Sequence, residues 1–391
     1  MAQKHKDKAN KYFQQAISLY RAQDYNQALL KLEKAEKAAP DMGKVFLLRG
    51  DIYADTKQDS LALTAYYHAI ELYPEKYVRV YGIIAQLHQQ KGEYQVAKEA
   101  FEHYLKTLTR AKDSVKRREV HQAITACEFG IESMANPVPF EPYNLGEHIN
   151  TKLSEYFPAP NMFQNSLWFT RRVESDAGMQ EDFYVSQADS LYQWEYAMPL
   201  SRPVNTRFNE GAASLSADGT FLVFAACAMQ PGAHAYGANR QGYGSCDLFY
   251  SRLENGKWLE PQNMGSAINS PLWESQPSLS ADGKSLYFIR ATDRSKRNTD
   301  IYVSTLLPTG EWTKAKPLSK EINTPKEEMS VMIHPNDCVL YFASKGHPGM
   351  GGADIFVSRR PNRWAPWGKP QNAGYPINTH KDENGLQVSH N

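Results

Sequence analysis

The chain has 391 residues and a formal net charge of +1, with 44 Lys and Arg against 43 Asp and Glu. That length allows two domains, and the near-neutral balance gives no electrostatic reason to expect a nucleic-acid partner. No apolar run approaches the ~20 residues of a membrane-spanning helix. The start, Met1–Lys6, lacks the apolar core of a secretory signal and by itself points to the cytosol.

Residues 9–40 place Tyr12, Ala16, Leu19, Ala28, Leu32, Ala35 and Pro40 at a spacing that returns 34 residues later as Phe46, Gly50, Tyr53, Ala62, Tyr66, Ala69 and Pro74. A third copy with one inserted residue gives Tyr81, Ala85, His88, Ala97, Phe101 and Tyr104. This is tetratricopeptide spacing: small residues let paired helices cross closely, aromatics fill the gaps, and proline ends the second helix. From about Asp113 to Ala135, Val120, Ile124, Cys127 and Ile131 continue one apolar face, predicting a helix that covers the end of the stack. Residues 1–135 therefore read as a tetratricopeptide domain of about three repeats plus a capping helix. The cluster Lys116-Arg117-Arg118 reads as a solvated helix face. By repeat position, Asn10, Phe13, Lys44, Leu47, Asp51, Arg79 and Gln86 should point into a partner-binding groove. Their charge is mixed, unlike a basic clamp for carboxylate tails.

Three prolines in Asn136–Pro142 stop the helix and predict an extended linker. Residues 136–150 read as this junction and the start of a first blade, Asn144-Leu-Gly146 matching Asn263-Met-Gly265 and Asn372-Ala-Gly374. Residues 151–391 read as an all-β propeller, because a motif recurs five times: Asn150/Glu155, Asn205/Glu210, Asn269/Glu274, Asn323/Glu328 and Asn378/Glu383, with Asn spacings of 55, 64, 54 and 55. In the repeat from Asn269, a strand at 276–280 meets an Asp282-Gly283 turn and a second strand at 286–289. A third strand at 300–304 and a fourth at 312–318 follow. Strand, Asp-Gly, strand is a hairpin signal, and four short strands in about 50 residues fit a propeller blade. The turn recurs at Asp218-Gly219 and, degenerate, at Asn336-Asp337. The third strand recurs after Asp182, Asp247 and Asp354, each Asp being read as a loop cap. The fourth-strand tryptophan recurs as Trp194, Trp258 and Trp364 or Trp367, expected between neighbouring blades. The fold class is thus α+β multidomain: a helical solenoid, then four blades and the start of a fifth. The fifth repeat stops after one strand, so the sequence is expected to be a fragment truncated at both ends.

Cys227 ends a second strand and Cys246 begins the third strand of the same blade, across a loop holding Gly232, Gly237, Gly242 and Gly244. Adjacent strands can bring such a pair within bonding distance, and a disulfide there implies an oxidising compartment. The alternative is two unrelated small residues; a metal site is disfavoured because no third Cys lies between them, His234 being the one further ligand-type side chain of His or Cys in that loop.

Tetratricopeptide repeats, a Pro-rich junction and Asp-Gly blades resemble the OmpA-family multidomain proteins of Bacteroidetes, such as the PorE-like lipoproteins associated with type IX secretion. The carriers are Asn144–Asn150, Gly242–Asp247, Trp273–Pro277 and Gly346–Asp354. The resemblance implies a periplasmic linker at the outer membrane, with envelope proteins of a secretion or gliding complex as partners. It also implies peptidoglycan tethering through a C-terminal OmpA-like domain missing from this sequence, as is the lipoprotein cysteine. No residue here is assigned to peptidoglycan.

For an enzyme the sequence offers no nucleophile elbow, no His-Glu-x-x-His and no phosphate loop. His347, in Gly346-His-Pro-Gly349, reads as part of a tight loop. No catalytic, metal or cofactor-binding residue is assigned. The five repeat glutamates are expected to bond the backbone of the neighbouring blade, with a cation-binding ring at the channel as the alternative. The favoured function is a non-enzymatic scaffold; the alternative is a propeller-based enzyme or glycan-binding protein of the envelope.

Overall fold

A computed structural model describes residues 2–161, 165–175, 178–189, 193–228, 236, 240–296 and 298–388. Gly232 and Gly237 lie outside the described residues. The chain divides into two compact units, Met1–Ala135 and Asn136–Asn391.

The first unit is helical: α1 (Ala2–Arg21), α2 (Tyr25–Ala38), α3 (Gly43–Asp55), α4 (Asp59–Leu72), α5 (Val80–Gln90), α6 (Tyr94–Thr107) and α7 (Ser114–Ala135). Within each helical pair the turn is made by one left-handed residue: Gln23 (φ 60), Lys57 (φ 60) and Gly92 (φ 74). Such a residue lets the freed carbonyls at a helix end find donors. The helices cross where the sequence puts glycine. A Cβ on Gly50 would lie 2.5 Å from the Tyr66 ring, one on Gly82 2.8 Å from Tyr104, and one on Gly130 2.7 Å from Tyr94. Ala16, Ala28, Leu32, Ala35, Val45 and Ile52 are fully buried between the pairs. In α7, Val120 and Cys127 are buried, the centre of the expected apolar stripe.

The second unit is a propeller-like array of four antiparallel sheets. Blade 1 holds β1 (Ser154–Asn161), β2 (Ser166–Ser175), β3 (Gly178–Gln187) and β4 (Met198–Pro199). Blade 2 holds β5 (Asn209–Leu215), β6 (Phe221–Cys227), β7 (Cys246–Glu254), β8 (Lys257–Trp258) and β9 (Gln262–Asn263), the last two both paired with β7. Blade 3 holds β10 (Glu274–Leu279), β11 (Ser285–Ala291), β12 (Thr299–Thr305) and β13 (Lys316–Pro317). Blade 4 holds β14 (Glu328–Ile333), β15 (Val339–Ser344), β16 (Asp354–Arg359) and β17 (Gln371–Asn372).

The outer strands are shorter than expected. In blade 3 only Lys316 and Pro317 pair with β12, and Trp312 makes an isolated bridge to Leu306. The reason is packing: Trp312 turns inward onto the cluster of Val223, Leu248, Ile268 and Phe288 between blades 2 and 3. Trp258 does the same against Trp168 of blade 1, and Trp367 against Tyr287 of blade 3. Trp367 therefore takes the blade-junction position, and Trp364 is 85% exposed.

Each inner strand carries a bulge whose left-handed residue sits seven positions after the repeat Asn: Phe157 (φ 51), Ala212 (φ 54), Gln276 (φ 53) and Ser330 (φ 53). A non-glycine residue at positive φ costs free energy and persists only where its surroundings hold it. Here they do: Ala212 N–H donates to Thr170 Oγ1 (3.0 Å) of blade 1, and Ser330 N–H to Gln276 Oε1 (2.5 Å) of blade 3. The fifth repeat keeps the geometry, with Gly385 at φ 73, but residues 382–388 form no strand ladder among the described residues.

The Pro-rich stretch is not a free linker along its whole length. Val138 N–H donates to the Tyr375 carbonyl (2.7 Å), which ties it into the second unit.

Candidate partner-binding groove and blade junctions

The expected groove residues fall into separate groups. Lys44 Nζ donates to Asn10 Oδ1 (2.7 Å) and lies 4.6 Å from the centre of the Phe13 ring, so these three converge. Phe13 is itself a core residue, buried against Val45 and Leu48, and Lys44 covers what remains of it. Asp51 accepts from the Tyr66 hydroxyl (2.8 Å), and burial pushes its carboxyl above the usual carboxylate range despite that bond. Leu47 is half-buried. Arg79 and Gln86 are exposed on α5 and line one wall of a cavity of about 230 Å3, beside Ile83. Lys116, Glu119 and Val120 of α7 line the other wall, and Lys116 Nζ pairs with Glu119 at 3.0 Å. Sequence reading treated Lys116 as solvated surface. The available signal was Val120, four residues on, which turns that face of α7 toward α5.

In the second unit the repeat motif is a set of clamps between blades. Asn205 Oδ1 accepts from Phe183 N–H (3.0 Å) while its Nδ2 donates to the Phe183 carbonyl (2.9 Å). Asn269 holds Leu248 in the same way, Asn323 holds Ile301, and Asn378 holds Ile355. Each amide thus supplies the missing acceptor for an N–H of the third strand of the preceding blade and adds a second donor to its carbonyl, which also takes a backbone N–H. Asn150 shares with Asn269 and Asn378 the bond from Nδ2 to the Asn six residues before it, but among the described residues it clamps no preceding third strand.

The glutamates do something else, which corrects the expectation that they bond the neighbouring blade. Each accepts from the Ser or Thr immediately after its own repeat Asn: Thr151 to Glu155 (2.6 Å), Thr206 to Glu210 (2.6 Å), Ser270 to Glu274 (2.5 Å), Thr324 to Glu328 (2.7 Å) and Thr379 to Glu383 (2.5 Å). A five-residue spacing closes a local turn, so the carboxylate reaches the near N–H groups first. Arginine completes three of them: Arg171 with Glu155 (2.9 Å), Arg240 with Glu210 (2.8 Å) and Arg290 with Glu274 (2.7 Å). The same guanidiniums donate to the carbonyls of Ile149, Val204 and Ile268, just before each Asn. Sequence reading missed these arginines. Their signal in repeats 1 and 3 is an Arg 16 residues after the Glu.

Blade 4 divides the task. Ser344 Oγ donates to Glu328 (2.9 Å), and His347 Nε2 meets the Ile322 carbonyl (2.9 Å). His347 is thus a packing and bonding residue, set against Phe342 and Phe356. Burial pushes the Glu210 and Glu328 carboxyls up to about 7, the Thr partners and, for Glu210, Arg240 opposing it. These acids are buried in blade roots rather than gathered at the channel. The cavity of about 160 Å3 where the four innermost strands meet is lined by residues such as Pro160, Leu215, Pro277, Leu279, Met332 and Val388. No group of three His, Cys, Asp or Glu that could hold a metal occurs among the described residues.

The third-strand aspartates behave in two ways. Asp247 accepts from Tyr243 and Gly244 N–H, and Asp354 from Met350 and Gly351 N–H, as loop caps. Asp182 instead accepts from the Gln180 side chain (2.7 Å). Cys227 and Cys246, directly opposite in the β6/β7 register, are joined in a disulfide.

A tetratricopeptide-repeat family profile matches residues 43–76 and 78–107. No curated protein sequence matches the chain. Among solved structures, the TPR2B domain of yeast Sti1 in its pHsp70 complex is similar at 20% identity and a TM-score of 0.28, covering 31% of this chain and 97% of that one. The Yersinia enterocolitica type III secretion chaperone SycD, in complex with a peptide of the translocator YopD, is similar at 17% identity and a TM-score of 0.29, covering 32% and 94%. The first TPR domain of human RPAP3 is similar at 18% identity and a TM-score of 0.27, covering 31% and 96%. The helical unit thus carries tetratricopeptide repeats at residues 43–76 and 78–107, ahead in the chain of a four-bladed propeller-like unit.

Proposed function

We propose that this chain is a non-enzymatic scaffold that holds proteins together in the cell envelope. The observation that carries the reading is the groove of the tetratricopeptide unit, where exposed Arg79 and Gln86 face Lys116 and Glu119 across an open cavity. Stacked helical repeats present such concave surfaces for peptides and helices. The envelope setting is supported by the Cys227–Cys246 disulfide, which belongs to oxidising compartments, and by the sequence resemblance to OmpA-type multidomain proteins. On that reading the home is the periplasmic side of the outer membrane, and the partners are components of a type IX secretion or gliding complex. Peptidoglycan contact is assigned to no residue of this chain.

Charge reversal tests it. Arg79→Glu is the cleaner variant, because Lys44→Glu also removes the Lys44 contacts with Asn10 and Phe13. Arg79→Glu should weaken recovery of envelope partners in pull-downs while the helical melting curve is unchanged. Equal recovery of every partner would exclude the groove, and turnover of a peptide or glycan by the purified propeller would overturn the non-enzymatic reading.

A further inference from the structure

Blade 2 obtains its arginine by a different route from blades 1 and 3. Arg171 stands opposite Glu155 in the β1/β2 register, and Arg290 stands opposite Glu274 in the β10/β11 register. The residue opposite Glu210 is Ala226. The guanidinium comes instead from the segment between β6 and β7. Arg240 Nη1 donates to Glu210 (2.8 Å), and Nη2 donates to the carbonyls of Val204 (2.9 Å) and Pro203. Arg240 is 2% exposed and Glu210 0%. The same segment sends Tyr236 into the core between blades 1 and 2, where its hydroxyl meets Asp247 (3.2 Å) and the Gly244 carbonyl. Repeat 2 is the long one, 64 residues against 54 or 55, which reflects this excursion.

A strand arginine is held in place by its ladder. An arginine on an excursion has no ladder and is held by its own bonds, by the anchor Tyr236 makes in the core, and by what fixes the ends of that excursion. Here Cys227 and Cys246, 19 residues apart, join the two ends. We infer that this disulfide is a clasp that keeps Arg240 seated on buried Glu210, so that blade 2 is a redox-sensitive element of the propeller. Opening the clasp widens the ensemble that the detached segment can explore and so favours detachment. Detachment leaves a buried carboxylate without its cation, which links the event to the packing of blades 1 and 2. Cys227 is only half-buried and open to attack. A dithiol reductant attacks as its thiolate, the S–S bond breaks through a mixed disulfide, and the reductant leaves as its own disulfide. Two electrons and two protons pass to Cys227 and Cys246, which become thiols.

Trypsin reads the clasp directly, because Arg240 is the sole Lys or Arg between the two cysteines. In the oxidised protein the bond after Arg240 should resist cleavage. After treatment with dithiothreitol, or in a Cys227→Ser/Cys246→Ser variant, cleavage there should be at least about tenfold faster, since proteolysis tracks the open population. It should also precede cleavage elsewhere in the propeller. Glu210→Gln in the oxidised protein should raise the same rate. An unchanged rate in protein whose thiols are shown free by mass would overturn the clasp, and simultaneous cleavage throughout the propeller would show global unfolding instead. No effect of Glu210→Gln would remove the ion pair from the argument. If the double serine variant does not fold, the reduced native protein carries the test.

Discussion

Among the described residues Glu328 is the buried repeat acid that pairs with no cation, and replacing it should change how stability depends on pH. It is 0% exposed and accepts from Thr324 N–H (3.0 Å), Thr324 Oγ1 (2.7 Å) and Ser344 Oγ (2.9 Å). Among the described residues no Lys or Arg pairs with it. Burial raises its carboxyl from 4.5 to about 7. A group whose folded pKa is raised binds its proton more tightly in the native state. Its stabilising contribution is complete below pH ~4.5 and is lost as pH rises through about 7. About 2.5 units at ~1.4 kcal/mol per unit is a loss of about 3 kcal/mol by pH 8. Glu328→Gln keeps the shape and an acceptor for Thr324 N–H, while its amide group faces Ser344 Oγ, which already accepts from Gly346 N–H (3.0 Å), so any cost of the substitution itself is an offset that does not vary with pH. Between pH 5 and pH 8 the variant should gain about 2–3 kcal/mol of stability relative to the native protein. The assay is urea unfolding followed by indole fluorescence at pH 5, 6, 7 and 8. All seven tryptophans lie at or after Trp168, so the signal reports the propeller unit alone. Taking the difference between the two proteins cancels the similar titration of Glu210. A difference constant across this range would refute the reasoning.

Three further outcomes follow from the packing. Gly50→Ala forces a Cβ to within 2.5 Å of the Tyr66 ring and should destabilise the helical unit by about 1–3 kcal/mol, read as a lower melting temperature by far-UV circular dichroism. Asn269→Ala removes both clamp bonds to Leu248 and leaves its buried N–H unpaired, while the carbonyl keeps Met264 N–H (3.0 Å), so the propeller should lose about 1–3 kcal/mol in urea; a loss below about 0.5 kcal/mol would mean that water replaces the amide. Trp367→Ala should cost about 3–5 kcal/mol and Trp364→Ala less than about 0.5 kcal/mol, because the first packs on Tyr287 under Arg360 and the second is exposed. Equal costs would invalidate the assignment of the junction tryptophan.

The sequence by itself determined the two repeat classes and most of the element order. Gly50, Tyr66 and their counterparts recur at helical spacing because a close helix crossing has few chemical solutions. Asp-Gly turns recur because few residues tolerate positive φ: Gly219 and Gly283 take φ 70 and 66, and in the degenerate turn Asp337 takes φ 58. Cys227 and Cys246 were legible as a pair because their strands are adjacent in the hairpin order. The tertiary structure alone decided which residues complete each motif. The repeat shows Asn and Glu together, but Asn reaches the preceding blade and Glu stays within its own turn, a division set by side-chain direction rather than spacing. In the helical unit, the groove wall on α7 depended on how that helix packs on α6, which sets it across the cavity from α5. In blade 2 the cation for Glu210 is 30 residues away in sequence, because the strand position that supplies it elsewhere holds Ala226. Spacing records local geometry, which a short chain segment fixes alone; the partner of a buried charge is whatever group the assembled core brings within bonding distance.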